Sequence, residues 1–129
     1  MLMRNVWPLL GAVLLLLSVS VAAQPADQEE PVMSQAEMNQ SAAEDYDKAD
    51  AELNRQYKVL VGQLEGEQKQ MLVKAEQAWI KFRDAEADFE ASDWIGGSGW
   101  PMIYYASLTG LTEKRTAELE ELLKEFGSH

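Results

Sequence analysis

Five carboxylates crowd one short stretch, at Asp84, Glu86, Asp88, Glu90 and Asp93. Such a group suggests a site for a hard cation, which needs several oxygens converging on one point. On a helix, steps of two residues throw successive side chains to different sides of the axis, so these read as solvated surface and no metal site is assigned. The glycine loop that follows, Gly96-Gly97-Ser98-Gly99, has the composition of a phosphate cradle. It lacks the lysine that would follow, and Asp93 stands beside it, so that chemistry is rejected. Nucleophilic catalysis needs a positioned base, and the one histidine is His129, the last residue. No catalytic residue and no cofactor is therefore assigned. The chemistry left is recognition. Trp94 and Trp100 flank the glycines, with Asp88, Glu90 and Asp93 close by in sequence. Aromatic anchors on a loop beside negative charge suit contact with a protein partner. The same tryptophans also admit a second arrangement, folded back to cap the end of the domain.

Three helices are expected to position these residues. Ser34-Gln35-Ala36-Glu37 has capping-box spacing, so the first helix should begin there. Its apolar stripe is Ala42, Tyr46, Ala49, Leu53, Tyr57, Leu60 and Leu64, and Gly66 is the expected terminator. The second helix is expected from about Glu67 to Asp93, with Leu72, Ala75, Trp79, Phe82 and Phe89 on its stripe. Trp79 and Phe82 form the centre of the expected core. The glycines break the pattern, and Pro101 suits the first turn of a third helix reaching about Phe126. That helix carries Tyr104, Leu108, Leu111, Leu119, Leu122 and Phe126 on one side. Short connections and three amphipathic segments imply an all-α, antiparallel three-helix bundle.

Charged groups intrude on these apolar faces. Glu76, Arg83 and Glu86 fall on or beside the stripe of the second helix, and Arg83 and Glu86 are spaced to pair. Lys81 and Asp84 are expected to point the other way. Arg115 sits in the middle of the third stripe, where it must meet a carboxylate or snorkel to solvent. Asp50, Glu76 and Glu86 are its candidate partners. The expected core and charged network thus comprises Asp50, Leu53, Tyr57, Glu76, Trp79, Phe82, Arg83, Glu86 and Arg115.

The whole chain has 129 residues, 22 acidic against 11 basic side chains, no cysteine and a formal charge of −11. An acidic surface with no basic patch argues against nucleic acid and favours cationic partners. Residues 1–23 have a basic start, an apolar middle and a small-residue end, the pattern of a cleavable secretory signal helix. The expected cut lies between Ala23 and Gln24, with a cut after Ala22 as its neighbour. An uncleaved anchor is the other reading, although the apolar run is near the short limit for a span. Otherwise the membrane is met only transiently, through the signal segment. Its loss removes Arg4 alone among the charges, taking the formal charge from −11 to −12. Residues 24–33 hold Pro25, Pro31 and three acidic groups, and are expected to be a disordered linker.

Met38-Asn39, Asp50, Leu53-Asn54 and Tyr57, then Ala78-Trp79 with Arg83-Asp84, then Leu108, Leu111-Thr112, Arg115 and Glu118-Leu119 resemble the lysozyme-inhibitor LprI-like N-terminal domain family. The resemblance covers residues 34 to 123 and implies an exported helical domain, over 34–127, that is not an enzyme. It implies a periplasmic or secreted binding module, one branch of the family being associated with inhibition of lysozyme, and the expected function of this chain is to inhibit such a cationic cell-wall hydrolase by occlusion. The alternative is a periplasmic structural or accessory protein that holds another envelope protein. The chain departs from the family in lacking cysteine: Ser41, Ala87 and Ser107 or Ala106 stand where cysteines are expected. Glu76 stands where the family usually has Gln, adding charge beside Arg83 and Arg115.

Overall fold

The computed structural model of the chain describes residues 32–126. Nearly all of them lie in three helices, α1 (Gln35–Gln63), α2 (Gly66–Glu90) and α3 (Trp100–Phe126). A single 3-10 turn, Ser92–Trp94, precedes α3. This is the all-α, three-helix architecture expected from the periodicity. The signal segment, its cut at Ala23 and Gln24, and the linker as far as residue 31 lie outside the described residues.

Local chemistry sets the start of α1. The Ser34 amide donates to Glu37 Oε2 at 2.7 Å, and the Glu37 amide donates back to Ser34 Oγ at 3.3 Å. Two backbone donors that no helical carbonyl can reach are thereby satisfied. The far end departs from expectation. α1 stops at Gln63, with Leu64 already extended, and Gly66 opens α2 where it was expected to terminate α1. Its φ of +57° turns the chain back sharply, a conformation glycine adopts without a Cβ clash. α2 also ends early, at Glu90 and not at Asp93. The Ala91 amide still reaches Ala87 O, but the Trp94 amide turns to Ala91 O, tightening the chain into the 3-10 turn.

Cross-helix contacts fix the directions. Asn39 meets Ser98, Tyr46 meets Tyr105, and Gln56 meets Glu120, so α1 and α3 run parallel. Arg83 meets Asp50, Arg115 meets Glu76, and Ser107 meets Glu90, so α2 runs antiparallel to both. The order is up, down, up. α1 packs much more extensively on α3 than on α2.

The core follows that imbalance. Its buried cluster is Leu53, Leu60 and Leu64 with Leu119, and Tyr57, Leu72, Trp79, Leu122 and Leu123 pack around it. α2 contributes Glu76, Arg83 and Ala87 as its buried side. Phe82, expected at the centre of the core beside Trp79, is 53% exposed. The reason is rotational. Phe82 is one residue from Arg83, a third of a turn or so round the helix, and Arg83 is the residue that faces inward.

Candidate functional site

Two constellations carry polar chemistry, and α2 contributes to both. The first is a pair of inward arginines. Arg83 donates from Nη1 to Asp50 Oδ1 at 3.2 Å and from Nε to Asp84 Oδ1 at 2.9 Å. Two expectations are corrected here. Arg83 does not take Glu86, its helix neighbour, and Asp84 does not point away. The turn spacing that favours Glu86 is outbid by Asp50, which α1 brings across the bundle. Burial works against the Arg83 charge, but the hydrogen bond to Asp84 and the nearby Tyr46, Asp84 and Asp50 outweigh it and raise its pKa. Burial likewise pushes the Tyr46 hydroxyl up, with Arg83 pulling against it.

Arg115 donates through Nε and Nη2 to Glu76 Oε2, both at 3.0 Å, and through Nη1 to Glu118 Oε2 at 3.0 Å. Of its three candidate partners it takes Glu76. Glu76 Oε1 is buried with no hydrogen-bond partner among the described residues. The two guanidiniums flank one ring, Arg83 at 5.3 Å and Arg115 at 6.0 Å from the Trp79 centroid. Leu53 is buried in the core cluster, and Tyr57 and Trp79 pack against that cluster. A cleft of about 290 Å³ opens between α1 and α2, with Tyr46, Asp50, Tyr57, Glu76 and Arg83 among its walls. Glu86 is half-buried and makes no ion pair among the described residues. It lines the groove between α2 and α3 with Trp79, Phe82 and Arg115. Every charge in this constellation that is buried is spent on a neighbour, so it holds helices together and offers little to a reactant.

The second constellation is the end of the bundle. Trp94 lies beside Gly99, its indole 3.5 Å from where a Cβ would stand, which is ordinary van der Waals contact. Asn39 Nδ2 donates to Ser98 O at 2.9 Å, tying the loop to the first turns of α1. Trp100 stacks on Tyr104 at 4.8 Å and is half-buried. The two tryptophans thus divide between the arrangements open to them. Trp100 is packed into the bundle end, while Trp94 stays 49% exposed beside Ile95 at 74%. Asp93 is exposed in the turn and Asp88 on the last turns of α2. Glu90 accepts from the Ser107 hydroxyl. Sequence reasoning missed Asn39 and Ile95 as parts of this end. Asn39 carries no local signal of its contact, but Ile95, an isolated apolar residue between Trp94 and the glycines, could have been flagged.

Among the described residues no group of three His, Cys, Asp or Glu side chains could hold a metal ion. No described helix is long and apolar enough to cross a membrane.

Comparison with known proteins adds a family. The family described as lysozyme inhibitor LprI matches residues 26–119. An uncharacterized protein of Rhizobium meliloti (strain 1021) is 35% identical over 135 residues, covering 95% of this chain and 97% of that protein. No solved structure matches.

Proposed function

Because this chain belongs to the lysozyme inhibitor LprI family, we propose that it is an exported, non-enzymatic binding module that occludes a cationic lysozyme-type cell-wall hydrolase. The observation that carries this reading is the braced end of the bundle. Trp94 and Ile95 stand out from a loop tied to α1 by Asn39 and closed by its own turn bonds, the Gly97 amide to Trp94 O and the Trp100 amide to Gly97 O. A loop fixed before it meets a partner loses less freedom on binding. Asp88 and Asp93 add negative charge at that end, and the whole chain is strongly acidic, which speeds encounter with a cationic protein. Trp94 is the anchor of the contact, Asp93 and Asp88 its exposed charges, and Trp100 and Glu90 brace the surface from behind. The N-terminal secretory pattern supports a periplasmic or secreted location, with the cut between Ala23 and Gln24.

A lytic assay with purified chain and a cationic lysozyme tests the reading. Inhibition at micromolar chain is expected, weakening steeply as salt screens the charge. Trp94→Ala should weaken it by about tenfold or more, the scale of a lost aromatic anchor. Lysozyme that keeps full activity at micromolar excess would overturn the proposal. The envelope-accessory reading rests on the same surface without requiring that any hydrolase be inhibited.

A further inference from the structure

Along α2, Met71, Ala75, Ala78, Phe82, Ala85 and Phe89 recur in alternating steps of four and three. That 3.5-residue spacing is the seam of a coiled coil. All six are exposed, with Met71 at 59%, Phe82 at 53% and Phe89 at 72%. The buried side of the same helix is Glu76, Arg83 and Ala87, so most of the seam points away from the bundle, with Phe82 at its edge beside the groove between α2 and α3. A stripe of this length left in water is unusual on a surface that otherwise carries so much charge.

The seam matches itself when reversed. Place a second copy antiparallel, with a twofold axis beside Ile80. Phe89 of one copy then comes opposite Met71 of the other, Phe82 opposite Ala78, and Ala75 opposite Ala85. Each phenylalanine meets an alanine or a flexible methionine, and the alanines let the helices approach closely. Parallel pairing would instead set Phe82 against Phe82 and Phe89 against Phe89. The rim follows the same rule. Basic Lys74 flanks the first half of the seam, while acidic Glu86 and Asp88 flank the second. Reversal brings Lys74 of each copy opposite the Asp88 stretch of the other, twice by symmetry, and sets only Lys81 beside its own copy at the axis, whereas parallel pairing puts Lys74, Lys81 and Asp88 each against its own copy. A self-complementary patch of this kind is what a twofold contact requires.

We propose that the outward face of α2 is the contact between two copies of this chain, packed antiparallel. The pairing works against the net negative charge of each copy, so it should tighten as salt is added. This is opposite to the salt response expected for hydrolase binding, so the two associations can be told apart although Asp88 borders both surfaces. Sedimentation of the purified chain should show a monomer–dimer equilibrium. Phe82→Glu buries a charge twice in the dimer and should weaken association by roughly a hundredfold, with the helical circular dichroism unchanged because Phe82 is exposed in the single copy. Orientation is read by crosslinking, since the chain has no cysteine of its own. Lys81→Cys, flanking the axis, should form an interchain disulfide on oxidation, and Lys74→Cys alone should not. A chain that stays monomeric at high concentration and high salt would overturn the proposal, as would a dimer indifferent to Phe82→Glu. Lys74→Cys linking as readily as Lys81→Cys would overturn the antiparallel arrangement.

Discussion

Glu76 gives Arg115 a single oxygen and leaves the other buried without a partner. A pair in that state makes up little of its own desolvation cost, yet neither member can be lost alone. Arg115→Met should cost about 3–5 kcal/mol, because it strands the Glu76 carboxylate. Adding Glu76→Met to that variant should recover most of the loss, and urea unfolding of the two single variants and the double variant measures the coupling. The need for some such pair was legible in the sequence, since Arg115 interrupts an apolar stripe and demands a carboxylate. The choice of Glu76 over Asp50 or Glu86 was not. It depends on how far each helix is rotated about its axis, which no local spacing records. Arg83 makes the same point: Glu86 is its near neighbour by helix geometry, and it meets Asp50 from another helix, with Asp84 beside it.

At the scale of the element, α2 carries apolar residues on two sides. Leu72 and Trp79 turn toward the core, while Met71, Phe82 and Phe89 turn out. A single stripe drawn through Trp79 and Phe82 averages the two and places the helix a partial turn from its true setting. The difference is measurable. Trp79→Ala should destabilise by about 3–5 kcal/mol, removing a ring that packs on the core beneath two guanidiniums. Phe82→Ala should change stability by about 0.5 kcal/mol or less, read at dilution where the chain is monomeric. The start of α1 was legible for the opposite reason. Its capping box is a bargain among residues three apart, and nothing distant can alter it.

At the scale of the whole molecule, the acidic surface predicts two opposite salt responses: added salt should weaken the proposed contact with a cationic protein and ease the proposed contact with a like-charged copy. The fold class was legible because three amphipathic periods and short connections leave few alternatives. The candidate site was legible only in part: Trp94 and Asp93 could be named, but the brace from Asn39 joins the start of α1 to a loop 59 residues further along the chain. That same parallel pairing of α1 with α3 orders events in time. α1 is synthesised first, yet its main partner is the helix synthesised last, and α2 gives it little to hold meanwhile. Contacts so distant along the chain must wait for a large loop to close before they repay its entropy. A chain truncated after Glu90 should therefore lack a cooperative unfolding transition, monitored by circular dichroism in urea, even though two of its three helices are present in full. Until α3 is in place, α1 has little to pack against, so cooperative folding belongs to the three helices together and to no smaller part.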